Sequence, residues 1–165
     1  MKSILMAALL IAGVPLAHAH GDMMHMPADG AVAEQTDWGI AGMPEQVTRT
    51  ITLDMTDAMR FTPDHLTVRT GDTVRFVVRN RGRKLHEMVI GTPEELAKHA
   101  ALMARFPDMQ HDEPYMVHVP PGKAGEIVWH FNRAGTFGFA CLIAGHYEAG
   151  MRGTLIVTPT EGDSK

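Results

Sequence analysis

The chain has 165 residues, 45% of them hydrophobic and 21% charged, with a formal net charge of −4. That length suits one domain, the acidic balance offers no basic stripe for nucleic acid, and a single cysteine excludes an intramolecular disulfide. The compositional outliers are Met (13) and His (10), both of which ligate soft or borderline metals.

Residues 1–19 read as a signal peptide. Lys2 is the positive start, residues 4–14 are the apolar run, and Ala17-His-Ala19 is a small-x-small cleavage signal. The apolar run is shorter than the roughly 20 residues a membrane-spanning helix needs. Cleavage there would start the mature chain at His20 and export it to the periplasm, an oxidising compartment. No membrane span is expected in what remains. Residues 20–46 are rich in Gly, Pro, Asp and Ala without apolar periodicity, and read as a flexible segment. This segment opens on a dense group of ligand-type side chains, His20, Met23, Met24, His25 and Met26.

A domain is expected over 47–158, followed by a short tail over 159–165. Alternating apolar residues predict a half-buried strand over 50–55, interrupted by Phe61-Thr-Pro63. Further strands are predicted over 65–69, 73–79 and 86–90, with Val74, Phe76 and Val78 facing the core. Thr92-Pro-Glu-Glu95 is a helix start, with Thr92 as N-cap, Pro93 in the first turn and Glu95 completing a capping box. That helix runs to about Phe106, before Pro107. Strands over 115–119, 125–131, 136–140 and 153–158 complete the count, with Trp129 in the core. About seven or eight short strands separated by turns predict an all-β sandwich or barrel with one inserted helix.

Cys141, His146 and Met151 stand between the last two strands, each separated from the one before by four residues. A thiolate, an imidazole and a thioether on one short loop suit copper, whereas magnesium and calcium require oxygen ligands. A blue-copper centre takes one Cys and two His in a plane with a weak axial Met. The loop supplies three of the four, and His86, at the start of a predicted strand, is the candidate for the second His.

On these residues the chain resembles the cupredoxins, the superfamily of plastocyanin, azurin and auracyanin. The Cys-x4-His-x4-Met spacing is closer to auracyanin and rusticyanin than to the shorter plastocyanin loop. Phe76-Val-Val-Arg-Asn80, then His86-Glu-Met88 and Gly145-His-Tyr-Glu-Ala-Gly-Met151, is most similar to periplasmic cupredoxins linked to copper tolerance. The resemblance covers about residues 47–158. It implies a Greek-key fold and one type 1 copper held by His86, Cys141 and His146, with Met151 axial and His146 as the surface electron port. Plastocyanin and azurin follow the first ligand His with an Asn that ties the two ligand loops together. Glu87 stands there in this chain, which would alter the hydrogen bonding around the sulfur, and so the potential and colour.

The remaining Met and His residues carry two readings. Met103 and Met116 fill the core while the His residues sit in solvent, or His99, Met103, Met109, His111, Met116 and His118 form an accessory copper site, with Met109 and His111 its foremost members. Met59, His65 and His130 are read as core or surface residues. Two functions follow: a monomeric periplasmic copper-tolerance protein that binds and redox-cycles copper, with a copper-handling or redox protein as partner, or an electron carrier between redox partners. An enzyme is not expected, because from residue 20 onward the chain has no His-x-His pair for an oxygen-reducing copper cluster.

Overall fold

The computed structural model describes residues 34–160 except 108, 110 and 111. The expected signal peptide, the cluster of His20, Met23, Met24, His25 and Met26, His111, and residues 161–165 lie outside the described residues. The elements run β1 (Ile40–Ala41), a 3-10 turn (Pro44–Gln46), β2 (Arg49–Thr56), β3 (Arg60–Thr62), β4 (His65–Arg69) and β5 (Thr73–Asn80). They continue with β6 (His86–Gly91), α1 (Pro93–Arg105), β7 (Met116–Val119), β8 (Ala124–His130), β9 (Gly135–Ala140) and β10 (Arg152–Thr158). Two five-stranded sheets result, ordered β1-β8-β5-β2-β3 and β4-β10-β9-β6-β7. Among the described residues each sheet ends in two edge strands that do not pair with the other sheet, so the fold is a sandwich and not the closed barrel that is the other expectation. Among the described residues no helix is long and apolar enough to cross a membrane.

Strand alternation accounts for the core. In β2 it buries Ile51, Leu53 and Met55, and in β5 Val74, Phe76 and Val78, the three expected to face inward. These meet Trp129, Phe131, Phe139 and Leu155 between the sheets. Each fully buried side chain of this size contributes roughly 1.5–3 kcal/mol relative to exposure.

Ten strands replace the seven or eight expected, and the two extra ones are the short β1 and β3. Of residues 61–63, expected to interrupt the pattern, Phe61 and Thr62 belong to β3: Phe61 packs edge-on against Phe139 of the opposite sheet, with ring centroids 5.1 Å apart. The described part of the segment expected to be flexible, residues 34–46, is also packed on the domain. Its anchor is Trp38, buried edge-on against Tyr115 at 5.2 Å, with its carbonyl accepting the indole N–H of Trp129 at 2.9 Å. β1 then pairs antiparallel with β8. One large aromatic and two strand residues hold this stretch, too few to register as a period.

The inserted helix forms where its start signals place it. The Thr92 hydroxyl accepts the Glu95 backbone N–H at 3.2 Å and donates to the Glu95 carboxylate at 2.7 Å. The return bond thus goes to the hydroxyl and not to the backbone N–H of a standard capping box. Leu96, Ala100 and Met103 face a second apolar cluster containing Val89, Met116, Ala140 and Leu142. The helix therefore backs the two strands, β6 and β9, that lead to the predicted ligands.

Candidate metal centre

The loop between β9 and β10 is closed at its base. Ala140 pairs with Arg152, and the Cys141 N–H donates to the Met151 carbonyl at 3.0 Å. Within it, His146 N–H bonds the Ile143 carbonyl at 2.9 Å and Met151 N–H the His146 carbonyl at 3.0 Å. Gly150 takes φ +96°, a conformation L side chains rarely adopt. Its neighbour Ala149 is held from outside by Arg60, whose Nη1 donates to the Ala149 carbonyl at 2.8 Å. A loop tied at this many points presents its side chains in one arrangement.

Across the sheet, β6 brings His86 to the same place. The ligand atoms of His86, Cys141 and His146 lie within 4.8 Å of one another. Among the described residues this is the one group of three or more His, Cys, Asp or Glu side chains so gathered. His86 and Cys141 are fully buried and His146 half-buried. The Cys141 sulfur is 3.2 Å from His146 Nδ1, and the two imidazole centroids are 5.0 Å apart. Met151, the expected axial residue, is fully buried at the loop's far end.

Burial pushes the Cys141 thiol up to about 12, although the backbone N–H groups of Glu87 and Ile143 point at the sulfur and favour its thiolate. Burial, followed by the neighbouring His86 and Lys84, keeps His146 below the ordinary histidine value, so its ring stays neutral and able to ligate. His86 Nδ1 is buried with no hydrogen-bond partner. A buried, unpartnered imidazole nitrogen beside a thiol and a second imidazole fits a soft or borderline metal ion.

Two carboxylates surround the group. Asp57 accepts the backbone N–H groups of Arg83 and Lys84 at 2.9 and 3.2 Å and contacts His86 Nε2 at 3.1 Å. The Arg83 bond leads the causes that hold its carboxyl down at about 2. Glu87 is fully buried, and its Oε1 accepts the Leu142 N–H at 2.7 Å. That bond ties β6 to the residue after Cys141, the tie expected of an Asn at this position. Its Oε2 lies 2.8 Å from His118 Nε2, close enough for charge attraction but not aligned as a hydrogen bond. The roles of Asp57 and His118 carry no local sequence signal, because their partners lie 29 and 31 residues away.

The other predicted ligands divide. Met103 and Met116 are buried in the cluster under α1. His99 and Met109 border a groove of about 440 Å³ that Trp38 and Tyr115 also line. His65 is exposed and paired with Asp64, His130 bonds Thr73, and Met59 packs against the core. His118 is exposed, as the first reading expected, and its Nε2 also faces Glu87.

The Glu87 carboxylate raises the His118 titration above the ordinary 6.5. Stability from that pair is therefore complete below pH 6.5 and is lost as pH rises through the raised value. The urea midpoint of copper-free protein should fall across that window, and the fall should shrink in His118→Asn. Equal pH profiles for the two proteins would show that the contact contributes nothing. A small amplitude is expected, because the imidazole is more than a third exposed and screened by water.

Residues 47–158 match the model of the copper binding proteins, plastocyanin/azurin family. The copper-resistant cuproprotein CopI of Rubrivivax gelatinosus is 49% identical over 140 residues, spanning 85% of this chain and 84% of that protein. The copper-resistant cuproprotein CopI of Pseudomonas aeruginosa is 32% identical, spanning 96% of this chain and 98% of its own. In fold, the sandwich is similar to dithionite-reduced auracyanin from Roseiflexus castenholzii, with a TM-score of 0.60 at 23% identity over 68% of this chain and 99% of that one. Matched over most of its described length by the family model and over nearly all of it by such relatives, the chain belongs to the plastocyanin/azurin family of copper-binding proteins, the cupredoxins.

Proposed function

We propose that this cupredoxin is a periplasmic copper-tolerance protein holding one copper in a type 1 site. His86, Cys141 and His146 would hold the copper, with the Met151 thioether as the fourth ligand. The observation that carries the reading is the buried, unpartnered Nδ1 of His86 gathered with Cys141 and His146. Bound copper supplies a one-electron couple between Cu(I) and Cu(II). The chain supplies a closed loop, a His146 ring kept neutral by burial, a sulfur already facing two backbone N–H groups, and burial of His86 and Cys141 away from water. Holding these groups in place limits the rearrangement that a change of oxidation state demands. Tolerance is supported by the likeness to the copper-resistant cuproproteins, export by the sequence of residues 1–19, and a binding or redox role without catalysis by the lack of a His-x-His pair after residue 20.

Copper titration of the mature protein, followed by visible absorption and bound-metal analysis, tests this. An intense thiolate-to-copper band saturating at one equivalent is expected. Additional tightly bound copper, lost on deleting residues 20–33 or substituting Met109 and His99, would support collection of excess ions. A band with no further copper would favour an electron carrier. Absence of the band with Cys141 reduced would overturn the type 1 site.

A further inference from the structure

We propose that Asp57 is the positioning residue that orients His86 for the metal and lowers the reduction potential of the centre, an inference resting on the type 1 reading above. Asp57 Oδ1 lies 3.1 Å from His86 Nε2. An ionised carboxylate only accepts, so Nε2 carries the ring proton and Nδ1 presents its lone pair. Nδ1 is also the nitrogen that is buried and unpartnered. The contact thus selects the tautomer that can ligate through the inward-facing atom.

Asp57 is itself fixed. The turn between β5 and β6 wraps its carboxylate, which takes the backbone N–H groups of Arg83 and Lys84. Gly82 sits so close that a Cβ there would collide with Oδ1, so only glycine leaves the carboxylate its place. Three of the four residues before Leu85 in this turn are thereby organised around one side chain from the β2–β3 connection. The side chain is only about a third exposed, so its charge acts on the imidazole with limited screening.

A carboxylate that accepts the outer N–H of a ligating histidine raises that ligand's basicity. Greater electron donation and a full negative charge behind the ring both favour Cu(II) over Cu(I). Removing them should weaken Cu(II) more than Cu(I) and raise the potential.

The test uses Asp57→Asn, which keeps an oxygen acceptor without the charge, and Asp57→Ala, which removes both. In copper-free protein, imidazole 15N shifts should show His86 protonated at Nε2 in the wild type and in Asp57→Asn, and mixed in Asp57→Ala. In copper-loaded protein, the dissociation constant for Cu(II) should rise about 10–100-fold in Asp57→Ala, the usual range for loss of an outer partner. The midpoint potential should rise in both variants, by about 59 mV for each tenfold loss of Cu(II) over Cu(I) binding. If Asp57→Ala fails to fold because the turn has lost its acceptor, the Asn variant and the wild-type tautomer decide. Protonation of wild-type His86 at Nδ1, or an Asn variant with unchanged potential, would overturn the proposal and leave Asp57 as a turn staple. A wild type without the thiolate band would sink the copper reading instead, while the copper-free tautomer still reports on Asp57.

Discussion

Replacing Cys141 with Ser is expected to abolish the intense visible band of copper-loaded protein and to weaken copper binding by at least about a hundredfold, the upper end of what losing a mere outer partner costs. The band belongs to charge transfer from a thiolate, and Cys141 is the sole cysteine. Ser matches its shape, and the Glu87 and Ile143 N–H groups that face the sulfur can donate to a hydroxyl in its place. The copper-free fold should therefore survive, which circular dichroism and a thermal melt would verify. Met151→Leu makes the contrast, because in the proposed type 1 site its thioether would tune the potential while the thiolate produces the colour. Its band should persist with a shifted potential. A Cys141→Ser protein that still gave the band would remove the sulfur from the centre.

Glu87→Ala should destabilise the copper-free protein by about 3 kcal/mol, combining an unpaired buried N–H with the void left by the side chain. The Leu142 N–H would lose its 2.7 Å acceptor in a place water does not reach. For a domain of this size that loss corresponds to a fall of roughly 10 °C in Tm. Glu87→Gln retains an oxygen for Leu142 and gives up only the charge facing His118, so about 1 kcal/mol is expected. Denaturant melts of both variants measure the difference. If Glu87→Ala melts within 1 kcal/mol of the wild type, the carboxylate is not what joins β6 to the Cys141 loop.

The readability of the sequence follows the range of the interactions. Cys141, His146 and Met151 share one loop, so their spacing was visible directly. The alternation of Ile51, Leu53 and Met55, or of Val74, Phe76 and Val78, was long enough to show a period. β1 has two residues and β3 three, too few for any period to appear. Trp38 is held by Trp129, 91 residues away, so its stretch read as tail. Glu87 was conspicuous as a residue that differs from the family pattern, yet its bond to Leu142 spans 55 residues and exists only in the folded sheet. Asp57 gave no sign for the same reason: a turn aspartate gains its meaning from the turn that closes on it.

The buried thiol has a consequence for the protein before any metal arrives. Oxidants and disulfides react with the thiolate, and Cys141 is kept as the neutral thiol beneath a closed loop. In an oxidising compartment an unpaired cysteine is ordinarily a hazard, prone to cross-linking and to sulfenic acid formation. The same burial that favours the protonated sulfur should slow both reactions in the metal-free protein, so alkylation or peroxide oxidation of Cys141 is expected to be slower in the folded chain than in the unfolded one.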